Sequence, residues 1–246
     1  MKVLLLVIHQ VDSQYDKMYE VQSAHYARYP FLDTYFVCFS ENLEAPFSIE
    51  KDIIFIKGTE SQVPGLLQKT IEAMLLARAE DYDFVVRSNS STLINFNQLS
   101  RFLEYAQSAR LDILAGSRQK LSWLDPAGGI RDAKYHGTTF AAGTMIVLSR
   151  HAVKMLLRYR HFLDYSVVDD VAIGVFFDRV VKIRIAEIER KFFIRNTKNI
   201  PFEQKKDLLS AVQKEINPVA WRNKSEDRQE DAKCMHWIAQ LIHTPP

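Results

Sequence analysis

The stretch richest in reactive side chains is Asp81-Tyr82-Asp83-Phe84-Val85-Val86-Arg87-Ser88-Asn89-Ser90-Ser91-Thr92-Leu93-Ile94-Asn95. A short apolar run ends in a cation, then an amide and a series of hydroxyls. If the run is a strand, the cluster emerges at its C-terminal end, the edge where open α/β sheets bind ligands. A strand-to-helix loop that caps the next helix with Ser or Thr would read the same way. The second such place is the acidic pair Asp169-Asp170, followed by an apolar stretch and Gly174. Paired carboxylates suit general-base work. They equally suit the first turn of a helix, where they cap amides and favour the dipole.

Composition narrows what such groups can serve. The chain has 246 residues, with 32 Lys+Arg against 30 Asp+Glu. That near balance argues against a protein whose main task is gripping nucleic-acid phosphates. Hydrophobic residues at 47% and charged residues at 25% are ordinary for a globular fold that buries a full core. Glycine is scarce, with 8 residues, and none falls in G-x-G-x-x-G or G-x-x-x-x-G-K-[ST]. A bound nucleotide would therefore need another means of holding its phosphates. The two cysteines, Cys38 and Cys234, make no disulfide framework and no zinc spacing. The apolar run Val3 to Ile8 is too short for a membrane span or a signal-peptide core. These features lead us to expect a cytoplasmic protein without a transmembrane segment.

The elements that must position these groups follow from periodicity. Continuous apolar residues from Lys2 to Ile8 predict a strand buried on both faces, as in a parallel sheet. A helix is expected over about Tyr15–Arg28, with strands at Asp33–Phe39 and Asp52–Ile56. A helix over about Leu66–Glu80 precedes the strand Phe84–Arg87, and a helix near Asn97–Ser108 precedes the strand Leu111–Ala115. This alternation predicts an α/β, Rossmann-like sheet. Residues 116–138 have no clear period and read as a long functional loop. Beyond them come a strand at Thr144–Ser149, a helix capped by Ser149, a helix from about Asp169 and a strand at Val180–Ile185. The last 45 residues read as helical.

Within this layout the sequence resembles GT-A glycosyltransferases of the fringe and galactosyltransferase type. Asp83-Phe84-Val85-Val86-Arg87-Ser88 and Thr92-Leu93-Ile94-Asn95 match the flanks of that family's central motif. Pro64-Gly65-Leu66-Leu67-Gln68-Lys69-Thr70 resembles its segment ending in Lys-Thr. Phe140-Ala141-Ala142-Gly143-Thr144-Met145-Ile146-Val147-Leu148-Ser149 resembles its glycine-containing strand ending in Leu-Ser. Val168-Asp169-Asp170-Val171-Ala172-Ile173-Gly174 resembles its acidic pair before an apolar helix. The four segments keep the family's order, and the resemblance covers about residues 1–185. It implies a single GT-A domain over residues 1–200, with a mixed, mostly parallel central sheet flanked by helices. Residues 201–246 are expected to be a helical extension packed on the same domain.

The resemblance also assigns roles. The family's metal-binding aspartates fall on Asn89, Ser90 and Ser91, and an amide with two hydroxyls is a poor site for magnesium or manganese. Two expectations follow. Either cationic side chains stabilise a departing diphosphate without a divalent metal, or catalysis is lost and a sugar or nucleotide pocket remains. For the first, the candidate cations are Lys69, Arg87, Arg118, Lys120, Lys191, Arg195 and Lys198, each of which a solvated surface would equally explain. Asp170 is the expected base of an inverting transfer, with Asp169 as the alternate. His9, after the first strand, is placed for a nucleotide base or ribose, with Glu60 and Gln62 as weaker candidates. Trp123, His136 and Gly143 are candidates for the acceptor or sugar, although packing would explain the two aromatic side chains. Gly116, Gly128, Gly129, Gly137 and Gly143 gather between residues 116 and 143, which suggests the rim of an acceptor site. The expected ligands are a nucleotide-sugar donor and a carbohydrate acceptor, with no nucleic acid and no cofactor. A nucleotidyltransferase ranks lower, because it usually needs a Gly-rich loop near the N-terminus and no glycine precedes Gly58.

Overall fold

A computed structural model of the chain describes residues 1–182, 185–187, 191–194 and 200–244. The apolar N-terminal run forms β1 (Val3–Ile8), and its period of two divides it between two cores. Leu4, Leu6 and Ile8 face one side, and Val3, Leu5 and Val7 face the other. A strand buried on both faces belongs in the middle of a sheet, and β1 lies there.

The strands that follow are β2 (Leu32–Ser40), β3 (Phe47–Glu50), β4 (Ile53–Lys57), β5 (Phe84–Asn89), β6 (Thr92–Ile94), β7 (Leu114–Lys120), β8 (Thr139–Ser149), β9 (Ile185–Glu187), β10 (Lys191–Ile194) and β11 (Ala220–Asn223). The helices are α1 (Ser13–Tyr26), α2 (Gly65–Leu76), α3 (Phe96–Ser108), α4 (Arg150–Arg158), α5 (Asp169–Val175), α6 (Phe202–Glu215) and α7 (Arg228–His243). Among the described residues the main sheet has eight strands in the order β3-β4-β2-β1-β5-β8-β7-β9. Its block β4-β2-β1-β5 is parallel, whereas β8 runs antiparallel to both β5 and β7. Helices α2, α4 and α5 cover one face, and α1, α3, α6 and α7 contribute to the other. This is the expected mixed, Rossmann-like α/β sheet.

The structure also corrects the sequence reading. Asn89 ends β5 rather than beginning a loop, and Thr92–Ile94 forms a further short strand, β6. Residues 116–120 continue β7, so the irregular segment is shorter than expected. Val180 and Val181 close a helical turn over Phe176–Val181 that continues α5, and do not open a strand. The tail contains the expected helices but also β11, which pairs with β6 and β10 in a second, three-stranded sheet. Trp221 on β11 is fully buried there, so the tail is built into the core. Cys38 and Cys234 are buried free thiols, and burial pushes them up to about 12 and about 11. No helix among the described residues is long and apolar enough to cross a membrane.

Candidate functional site

A cleft of about 990 Å³ opens where β1 and β5 end, at the C-terminal edge of the parallel block. All four segments of the family resemblance line it. Leu66 and Lys69 come from α2, Arg87, Asn89, Ser90 and Ser91 from β5 and its turn, Gly143 and Thr144 from β8, and Asp169 and Asp170 from α5. His9, Glu60 and Gln62 also face it.

The floor is a buried ion pair. Arg87 Nη2 lies 2.5 Å from Asp169 Oδ2, and both side chains are almost wholly enclosed. Thr70 Oγ1 donates to the same carboxylate oxygen at 3.3 Å. The other arm of Arg87 donates from Nη1 to the carbonyl of Gly143. Arg87 and Asp169 thus pair their charges, with Arg87 Nε buried and without a hydrogen-bond partner among the described residues, and Asp170 is the member of the acidic pair left without a cation on it. Its Oδ2 accepts from the Gly143 N–H at 2.8 Å and its Oδ1 from the Val171 N–H at 2.8 Å. Burial, then repulsion from Asp169, push Asp170 up to about 6, against the pull of the Gly143 amide and Arg87. A carboxyl so placed is largely ionised at neutral pH yet still a useful proton acceptor.

Lys69 lines the cleft with its ammonium already engaged. Its ammonium donates to both Glu60 oxygens at 2.9 and 2.7 Å and to His9 O at 2.8 Å, which uses its three protons. Burial holds it below the usual lysine range despite Glu60. Glu60 also accepts from Phe39 N at 3.1 Å, so it is tied to the scaffold. His9 packs among Tyr15, Tyr19 and Phe36 and shares a hydrogen bond with Ser90 Oγ at 2.8 Å. Burial, reinforced by Lys69, lowers it to about 4, so it is neutral.

The Asn89-Ser90-Ser91 turn does not fit a divalent metal. Asn89 Oδ1 already accepts from Ser91 N, Ser91 Oγ and Thr92 Oγ1 at 3.2, 2.9 and 3.0 Å. Ser90 Oγ donates to Ile8 O at 3.2 Å. Hard divalent cations favour charged oxygens with free lone pairs, and here the donors are neutral and engaged. Among the described residues no group of three or more His, Cys, Asp or Glu gathers in metal-binding fashion.

Other expected residues lie elsewhere. Trp123 is half-exposed against Phe140, and His136 is exposed after a short turn whose buried member is Tyr135; neither lines the cleft. Strand alternation points Gln119 into the cleft and leaves Arg118 and Lys120 exposed. Lys191 opens β10, in register with Ala220, whereas Arg195 and Lys198 fall outside the described residues. Of the five clustered glycines only Gly143 lines the cleft. Gly129 lines a smaller hollow of about 410 Å³ beside Ser166.

One wall was missed from the sequence: Arg222, Lys224, Ser225, Glu226 and Arg228, contributed by β11 and the loop that leads into α7. Arg222 donates to Thr144 Oγ1 at 2.9 Å and has no carboxylate partner among the described residues. Burial, then repulsion from Arg87, hold it below the usual arginine range. Arg228 is paired with Asp231 at 3.0 Å and lies over the Tyr15 ring. A signal for this strand was present in Asn217-Pro218 followed by Val219-Ala220-Trp221, a turn and then a short apolar run.

The fold is thus α/β and Rossmann-like, with its cleft at the end of the parallel strands. No protein-family profile and no curated protein matches the sequence. Among solved structures, the glycosyltransferase GlyE of Streptococcus pneumoniae TIGR4 aligns at TM-score 0.42 and 13% identity, over 98% of this chain and 62% of its own. This chain therefore spans under two thirds of that protein. A glycosyltransferase involved in glycosylation of the major capsid of PBCV-1 aligns at TM-score 0.44 and 10% identity, over 96% and 98% of the two chains. The 4-diphosphocytidyl-2C-methyl-D-erythritol synthase of Anaerococcus prevotii DSM 20548 aligns at 0.43 and 16% identity, over 76% and 90%. At such identities the chemistry has to be read from the cleft itself.

Proposed function

We propose that the chain is a glycosyltransferase that moves a sugar from a nucleotide-sugar donor to an acceptor hydroxyl, with inversion and without a divalent metal. The observation that carries this reading is the meeting of four sequence-distant motif segments around one carboxylate, Asp170, with Arg222, which has no carboxylate partner among the described residues, in the same cleft. Asp170 takes the acceptor hydroxyl proton as that oxygen attacks the anomeric carbon. The bond from that carbon to the phosphate oxygen breaks, and the diphosphate leaves with the electron pair. Arg222 offsets the negative charge that develops there. Asp169, neutralised by Arg87, shapes the site and repels Asp170 but is not the base.

Substitution of Asp170→Asn keeps shape but removes basicity, and its Nδ2 cannot accept from one of the two N–H groups, of Gly143 or Val171, that the carboxylate serves. It is expected to lower the transfer rate by about 10²–10⁴-fold, with the chain still folded and the unfolding midpoint lowered by the loss of one hydrogen bond, about 1–3 kcal/mol. Full activity in this variant would show that Asp170 is not the base. The Lys69–Glu60 and Arg87–Asp169 pairs favour a second reading, a pocket that binds a sugar or nucleotide without turnover. Ligand binding with no product release would select it.

A further inference from the structure

Asn89 stands where the resemblance implies a metal-binding carboxylate, yet it is wired to the opposite side of the cleft. Its Nδ2 donates to Gly143 O at 3.0 Å, the carbonyl that also receives Arg87. The N–H of the same residue, Gly143, donates to Asp170. Gly143 is therefore pinned from both sides, by Asn89 and Arg87 on its carbonyl and by the Asp170 carboxylate on its amide. The orientation of the Asn89 amide is not free. The fixed Ser91 N–H needs Oδ1 as acceptor, and a flip would set oxygen against the Gly143 carbonyl. The absent side chain at Gly143 completes the arrangement. A Cβ there would lie 3.1 Å from Arg87 Nη1 and 3.2 Å from Asp170 Oδ2, closer than such atoms normally pack.

We propose that Asn89 is a positioning residue: through Gly143 it holds the amide that orients the Asp170 carboxylate, and this takes the place of metal binding at that motif position. An aspartate there has no N–H to give the carbonyl, so this role requires an amide. The inference rests on Asp170 being the base of the proposed transfer.

The charged groups facing Asp170 are Asp169 on its own helix, Arg87 from β5 and Arg222 from β11; Lys69 on α2 is matched by Glu60. Asn89→Ala removes the donor without adding a charge, so a change in Asp170 ionisation comes through Gly143. Gly143→Ala perturbs the same link without touching Asn89 and serves if Asn89→Ala does not fold. The test follows the Asp170 carboxyl by NMR in uniformly 13C-labelled protein, assigned by its loss in Asp170→Asn, alongside the pH dependence of kcat. Both variants are expected to raise the Asp170 titration midpoint by about one unit and cut kcat near pH 6 roughly fivefold, with recovery above pH 8. A lower unfolding midpoint with the Asp170 titration unmoved would mean that Asn89 only stabilises its turn, and would overturn the proposal. The NMR readout does not need turnover: a shifted titration in a protein without transfer activity supports the positioning while the transferase reading fails.

Discussion

Arg87 looked, in the sequence, like a cation aimed at a ligand, and Asp169 like a possible base. Each sets its charge against the other, because either group buried alone would be an uncompensated charge. Their chemistry was legible from residue type; their partnership depends on a distance between β5 and α5 that no local pattern encodes. The same holds for Lys69 and Glu60. The two arginines should therefore respond oppositely to removal. Arg87→Ala leaves Asp169 buried and unpaired and should cost about 3–5 kcal/mol of stability in denaturant unfolding. Arg222→Ala breaks one hydrogen bond to Thr144 and should cost about 1 kcal/mol. In compensation for its small structural effect, it should lower kcat/KM by on the order of 10²-fold. A reversed ranking would mean that Arg87, not Arg222, meets the ligand.

Helices α1 and α7 meet through a pair of histidines. His25 is buried, hydrogen-bonds Ile94 O through Nε2 at 2.9 Å, and shares its Nδ1 with His243 Nε2 at 2.9 Å. Burial lowers His25 to about 4, despite the Ile94 carbonyl. Between pH 6.5 and 4 the unfolded chain takes up a proton that the folded one refuses, so stability falls as pH falls through that window. His9 acts in the same direction, with the same lowering to about 4. Asp170, raised to about 6, acts oppositely between its ordinary value and pH 6. His243, also lowered by burial, acts with His9 and His25, and together they outweigh the one raised carboxyl, so the net by pH 4 is a loss on the order of 3 kcal/mol, the size of one such shift. Urea unfolding across this range should show the loss, and His25→Gln should flatten it. An unchanged slope in that variant would remove His25 from the account. No local pattern shows this contact, since residues 25 and 243 meet only because α1 and α7 lie side by side, start beside start and end beside end. β1 and α2 were legible because their apolar positions recur over several residues. Strands of three or four residues, β6 and β11, leave too few positions to show one.

For the whole molecule, the α/β plan was readable because strand and helix alternate so regularly over the first half. The tail was harder to place. It was expected to be helical and to lie on the domain, and it does supply α6 and α7. Its single short strand, however, closes the second sheet and delivers Arg222 to the cleft. Removal of residues 201–246 should therefore abolish cooperative unfolding, as seen by circular dichroism, and not merely trim the surface. Trp221→Ala, which empties a fully buried site, should cost about 3–5 kcal/mol. A truncated chain that unfolds as cooperatively as the full one would show that the tail is dispensable.

The central claim is metal-free transfer with Asp170 as base, and it is tested most directly by product release. The full chain and Asp170→Asn would be incubated in EDTA with a panel of nucleotide sugars and carbohydrate acceptors, and the released nucleotide and glycosylated product measured. The account predicts that at least one donor is turned over by the full chain in EDTA, and that Asp170→Asn binds that donor but does not release product at a comparable rate. Binding without turnover across the panel, or turnover only when manganese or magnesium is restored, would contradict it.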